Sequence, residues 1–429
     1  MSVIDLEPLS FPEQDNIRVR VDYYDEEEEA KLLEYPSADR IALIAGHEID
    51  VPASEFLTYY LFRRKRPGMP GWRNYAELSR KISLSLSHLS GSVAFDGSSI
   101  HVPIEVGYPD VHVVECVGEA IGLSVINQIH DMTEADWSVI PRSRGGLAGP
   151  TLDFRIASDE QHLIEVETKG SFARSSTQKT SSISNHKASI QAKKAHHLGK
   201  SLPGFDTATI RYGTISVLGG PAQCVNCWLL DPPSDEAQMN PARRRVLNRV
   251  AFLRDWITAI SPRSNLAIAL ASRLAALEAV SNIEELDGVP LLGVDGERVV
   301  DVSAFTPEVG ETPKLLPNKS RIDSDGVVGI VIQGWRNSLF FLGAREEIFE
   351  EAIAQEFQVI TSYKAASGFR RRNVNCRFTR RQFDQMRLPR EVRSAAAVSG
   401  NYVTLSVAGR MQYANTGSVF GILDVSEML

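Results

Sequence analysis

Apolar and polar positions along the chain change period several times, and each change predicts an element. Residues 17–24 (Ile-Arg-Val-Arg-Val-Asp-Tyr-Tyr) alternate with period two and predict a strand. Segments 54–62 and 75–89 have helical spacing. So does 111–130, where Val113, Val114, Val117, Ala120, Ile121, Val125 and Ile129 form one apolar stripe. Two alternating strands flank the polar stretch 157–161, which is read as a hairpin connection. Beyond a Ser/Thr-rich loop at 171–184, Asn185 is placed as the cap of a helix running to about 198. Strands follow at 207–218 and 224–230, halted by Asp231-Pro232-Pro233. Residues 241–286 are helical with a break at Ser261-Pro262. Strands at 327–333 and 338–342, a helix at 346–357 and strand-like segments after Tyr402 complete the pattern.

At 429 residues the chain is too long for one ordinary core, so several regions are expected. The reading divides it into an N-terminal α+β region (1–110), a mixed α/β core (111–233), a helical segment (234–292) suited to packing or dimerisation, and a C-terminal α+β region (293–429). No apolar run approaches the ~20 residues that span a bilayer, and the first residues lack a basic stretch followed by an apolar one. A cytoplasmic protein with no membrane partner is expected. Four cysteines do not make a disulfide framework. Cys224 and Cys227 lie in a strand pattern without the two further ligands that zinc needs, so they are read as buried thiols.

The chemistry concentrates in the predicted hairpin. On its second strand Ile164, Val166 and Thr168 point one way, and Glu165, Glu167 and Lys169 the other. A turn centred near 159–160 sets Asp153 opposite Glu167 or one step from it. Facing carboxylates have Cβ atoms roughly 4.5–5.5 Å apart and repel. A cation between them removes the conflict, which points to a divalent metal held by Asp153 and Glu167 with Lys169 alongside.

Asp153, Glu167-Thr168-Lys169 and the following Gly170-Ser171 resemble the signature of the PD-(D/E)XK, or restriction-endonuclease-like, nuclease superfamily, over roughly 111–233. The family's proline normally precedes its aspartate directly, whereas Pro150 stands three residues ahead of Asp153. The resemblance implies a restriction-endonuclease-like mixed sheet flanked by helices. It also implies Mg²⁺, with Mn²⁺ able to substitute, on Asp153, Glu167 and the Thr168 carbonyl, and Lys169 as the catalytic lysine. A glutamate from the preceding helix completes the set, and Glu119 is chosen over Glu115, with a plain surface role as the rival reading. The implied activity is metal-dependent hydrolysis of DNA, RNA remaining open, in a prokaryotic restriction or anti-phage system. The rival is an inactive fold of this kind acting as a nucleic-acid-binding or scaffolding subunit of a larger complex. In either case a homodimer or a partner protein of a defence complex is open.

The formal net charge of −8 argues against a general nucleic-acid binder, so local distribution matters more. The acidic run 25–29 is read as solvated surface. Residues 170–200 contain no acid, and Lys187 and Lys194 on the helix there are candidates for phosphate contact. Arg142 and Arg144, in the Gly-rich stretch before the hairpin, suit a close approach to phosphate or a plain flexible connection. The segment 364–393 interleaves arginines with Phe369, Phe378 and Phe383. Arg371 and Arg377 there fit either nucleic acid or an acidic partner, the chain's own N-terminal acids included.

Overall fold

A computed structural model describes residues 9, 11–34, 37–62, 65–69, 72, 74–139, 155–197, 210–230, 240–300, 318–334, 339–386, 388 and 390–423. It is mixed α/β, built on two large sheets. In chain order the first part runs β1 (Asn16–Tyr23), α1 (Glu26–Leu32), α2 (Ala38–Ile44), β2 (His47–Pro52), α3 (Ala53–Phe62) and α4 (Tyr75–Ser90). A small hairpin, β3 (Ala94–Asp96) and β4 (Ser99–His101), leads to α5 (Val111–His130), β5 (Trp137–Val139), β6 (Arg155–Ser158) and β7 (Leu163–Phe172). Then come α6 (Ser181–His197), β8 (Ile210–Leu218), β9 (Val225–Leu230), α7 (Pro241–Ile260) and α8 (Asn265–Ala279).

The first sheet has seven strands in the order β2-β1-β9-β8-β7-β6-β5. β5, β6 and β7 form an antiparallel meander, β8 returns parallel to β7, and β1 lies parallel to β9. The expected boundary at residue 110 therefore falls inside one sheet, because β1 and β2 belong to it. α5 packs on one face of β7 and α6 on the other. The α5 contact depends on absent side chains: a Cβ on Gly118 would stand 2.2 Å from the Gly170 Cα, and one on Gly170 would stand 1.9 Å from the Val114 carbonyl oxygen. α6 buries Ile183 and Ile190 against Ile215, Val217 and Trp228.

The C-terminal part contains β10 (Asn318–Ile322), β11 (Val327–Gln333), β12 (Leu339–Arg345), α9 (Glu346–Ala354), α10 (Phe357–Ser362) and β13 (Gly368–Thr379). After these come α11 (Arg380–Gln385), α12 (Arg390–Ala395), β14 (Ala397–Ser399), β15 (Tyr402–Tyr413) and β16 (Ser418–Leu423). β13 pairs with both β10 and β15, which closes six strands into an antiparallel barrel around Val331, Phe341, Val374, Cys376 and Val407. Closure removes the open edges that a sheet otherwise presents. The first half of the arginine-rich segment is thus mostly strand, with helix beyond it: Val374, Cys376 and Phe378 turn inward while the intervening Asn375 and Arg377 face out.

α7 ties the two sheets together. Arg249 Nε and Nη2 donate to Asp136 Oδ1 and Oδ2 at 2.6 and 2.8 Å, while its Nη1 donates to the Tyr363 carbonyl at 2.9 Å. Burial works against the Asp136 charge, but Arg249 and Arg245 outweigh it and hold the carboxyl below the usual carboxylate range. α3 is buried along its whole length. Gln412 Nε2 donates to the Pro12 carbonyl at 2.7 Å, and the Phe369 amide to Asp15 Oδ1 at 2.7 Å, so the barrel also grips the segment ahead of β1. No described helix is long and apolar enough to cross a membrane.

Candidate active site

The alternation along β7 has the predicted sense. Val166 and Thr168 face α5, with the Thr168 methyl against Gly122, while Glu165, Glu167 and Lys169 share the α6 side. Register sets Glu165 beside Arg211 and Glu167 beside Gly213 of β8. Glu165 is committed to Arg211, whose Nε lies 3.2 Å from its Oε2. Burial pushes the Glu165 carboxyl up, and Arg211 offsets part of that.

Glu167 is fully buried, and its Oε1 accepts from two ammonium groups, Lys169 Nζ and Lys193 Nζ, each at 2.5 Å. Lys169 comes from the same strand and Lys193 from α6, more than three turns along it. Their side chains are 21% and 26% exposed, so the carboxylate sits inside and the cations lead outward. A buried charge of this kind is tolerable only when paired and hydrogen-bonded. The two lysines meet that need.

α6 distributes its polar residues over two faces. His186 and Lys193, seven apart, lie toward β7, whereas Lys187 and Gln191 lie toward α1. Half-buried His186 hydrogen-bonds the backbone of Gly170. Burial lowers its pKa first, the Lys169 charge lowers it further, and Glu115 works in the opposite sense. Glu115 thus has a described electrostatic link to the Lys169 neighbourhood. Glu119 is buried one position beyond Gly118, where α5 meets the Lys169 carbonyl and Gly170.

Lys187 does not stand free for phosphate. Its Nζ is 2.6 Å from Asp25 Oδ2 and 3.2 Å from Glu28 Oε1, and Gln191 Nε2 donates to Glu28 at 3.0 Å. The acidic run is accordingly not all solvated surface: Asp25 caps α1 through the Glu28 amide, and Glu28 is buried under α6. Arg371 and Arg377 lie on the barrel. Arg371 Nη2 meets Glu13 Oε2 at 2.8 Å, and the Arg377 guanidinium sits 4.1 Å from the Tyr402 ring centroid. Glu13 also accepts from Arg410 at 3.1 Å, so acid from ahead of β1 does meet the barrel arginines. Asp153, Arg142 and Arg144 lie outside the described residues, as does the side chain of Lys194.

Reading the sequence missed Lys193 at Glu167 and His186 beside Lys169 and Gly170. It also missed a second polar group, in which His130, Asp159 and His162 bring their ligand atoms within 4.8 Å of one another. Helical spacing links His186 to Lys193, but only packed coordinates reveal which face of α6 meets β7. No family model, curated protein or solved structure matches the chain.

Proposed function

We propose that this protein is a metal-dependent nuclease acting on DNA, with its reaction centre at Glu167 and Lys169. One observation carries the reading. A helix, a three-strand antiparallel meander, a second helix and a fourth strand parallel to the third follow in that order, and Glu-X-Lys occupies the third strand. This is the arrangement expected of a restriction-endonuclease-like core. Asp153 stands two positions before β6, the strand hydrogen-bonded to β7.

The donor set suits a hard cation. Glu167 and the Thr168 carbonyl are oxygen ligands of the kind Mg²⁺ takes, with Asp153 as the further carboxylate. When bound, Mg²⁺ supplies Lewis acidity toward the scissile phosphate and toward a water. The chain's own part is electrostatic. Lys169 and Lys193 present two partly exposed ammonium groups over a buried carboxylate, where charge on a phosphate is held more strongly than in bulk water. Glu167 fixes both ammonium groups, so little reorganisation is needed when the phosphate arrives. A restriction or anti-phage setting is what the resemblance implies.

A second reading has one observation behind it. Both lysines lie on the same Glu167 oxygen, so the carboxylate charge is more than offset without any ion. A nucleic-acid-binding subunit without hydrolysis would carry such a centre. Cleavage of duplex DNA by the purified chain with Mg²⁺, beside Asp153→Ala and Lys169→Ala, separates the two. The nuclease reading expects cleavage that falls on the order of 10²–10³-fold in either variant, the usual loss for one preorganised charge partner. Cleavage equal in all three proteins rejects the assignment. DNA binding without cleavage moves the protein to the second reading.

A further inference from the structure

We propose that His130, Asp159 and His162 form a binding site for a transition metal of the Zn²⁺ class, separate from the Glu167 centre, which clamps the β6–β7 turn to the end of α5. His130 is the last residue of α5, which closes at Asp131 in a left-handed conformation. Asp159 and His162 belong to the turn and to the residue before β7. Nδ1 of His130 lies 2.8 Å from Asp159 Oδ2, and Nδ1 of His162 lies 3.1 Å from the same oxygen. Two imidazole nitrogens therefore converge on one carboxylate oxygen. Ligand atoms around a tetrahedral zinc with bonds of 2.0–2.1 Å stand about 3.3 Å apart, so the three need only small shifts to share an ion. Three protein ligands with one open position is an ordinary zinc arrangement.

The surroundings are those of a built site. Asp159 Oδ1 is engaged by the turn itself, accepting from the Gln161 and His162 amides at 3.0 and 2.7 Å, which leaves Oδ2 to the histidines. The remaining nitrogen of His130, Nε2, lies 2.9 Å from the Tyr212 hydroxyl, and that hydroxyl lies 2.9 Å from Ser37 Oγ. Metal-bound histidines characteristically give their other N–H to such a partner, which fixes ring and tautomer. Without metal, Asp159 can only accept, so Nδ1 of His130 carries the proton and Nε2 accepts from Tyr212. With metal, the Nδ1 protons of both histidines move to Nε2; His130 Nε2–H then donates a hydrogen bond to the Tyr212 hydroxyl, which in turn donates to Ser37 Oγ. His130 stays neutral throughout and nothing has to be oxidised or reduced.

The nearby charges are known. Arg40 of α2 opposes a cation, while Glu160 of the turn is drawn to Arg245 at 3.3 Å. His162 is 15% exposed, at the rim, so replacing it leaves the core intact.

The test uses the full chain, stripped with chelator, and adds Zn²⁺ or Co²⁺ alone. The expected result is one equivalent of Zn²⁺ bound, a raised melting temperature, and a visible Co²⁺ d–d spectrum of low-symmetry coordination. Tyr212→Phe should weaken binding by about 10–100-fold, the usual effect of losing the partner of a ligating histidine. His162→Ala should weaken it more and abolish the Co²⁺ spectrum while leaving the circular dichroism of the fold in place. No Co²⁺ spectrum in the wild type, or His162→Ala binding Zn²⁺ as tightly as the wild type, overturns the proposal and leaves the group a hydrogen-bond relay. Neither result depends on whether the chain cleaves DNA.

Discussion

The Glu167 centre and the barrel's arginine face are both clusters of opposite charges, but they differ in where the charges sit. At Glu167 a single carboxylate with no solvent exposure holds two lysines from a strand and a helix. On the barrel, Arg371 and Arg410 meet Glu13, and Arg372 meets Asp325, with Arg371 65% exposed. Burial makes the first arrangement all-or-none, because removing one partner strands charge in a poorly hydrated place. Water and salt weaken the exposed part of the second, Arg371 above all, and make it easier to rearrange. A site that must hold geometry for chemistry belongs to the first kind, and an adaptable docking face to the second.

Glu167→Gln tests the sharpest edge of that contrast. It leaves two lysines converging on a neutral amide, and urea unfolding should show a loss of about 3–5 kcal/mol, the range for breaking a buried pair. A loss below 1 kcal/mol would place Glu167 in the same energetic class as the barrel arginines.

Another buried carboxyl gives a pH signature. Desolvation raises Glu55 to about 7, against partial relief from Ser124, Asn127 and Asn415. A folded-state pKa above the unfolded one means that the folded chain binds the extra proton. Stability should therefore fall as pH rises from about 4.5 to 7, by on the order of 3 kcal/mol. Glu55→Gln should flatten that slope in denaturation curves taken across the range. An unchanged slope would assign the dependence to other groups.

The smallest effects belong to the surface. Arg371→Ala should change stability by less than about 1 kcal/mol. If the barrel meets phosphate, the same change should reduce the salt dependence of DNA binding by about one charge. Glu13→Ala, which releases Arg371 and Arg410, should then tighten binding. Binding indifferent to both substitutions would confine nucleic-acid contact to the first sheet.

What was legible beforehand follows from how locally each feature is encoded. Helix α5 ends where its apolar stripe ends, and Asp110 caps it through the His112 amide at 2.7 Å. Strands β1 and β11 announce themselves through alternation and an unbroken apolar run. α6 begins four residues ahead of the expected Asn185, because its polar first turn gives no stripe until Ile183 and Ile190. β13 was hidden because its outward residues are mostly arginine and asparagine, which obscure the inward Val374, Cys376 and Phe378. Glu167 and Lys169 were readable from one strand, whereas Lys193 requires knowing how α6 is rotated. The barrel's closure is a long-range pairing with no local trace.

The place of β1 between β2 and β9 has a consequence for biosynthesis. The antiparallel β1–β2 pair, joined through α1 and α2, can form early, but the parallel neighbour of β1 is made roughly two hundred residues later. Until then the outer edge of β1 has unfilled hydrogen bonds, and pairings so distant in sequence form slowly. The early chain therefore has to be kept from joining the wrong strand while its proper neighbour is still being translated.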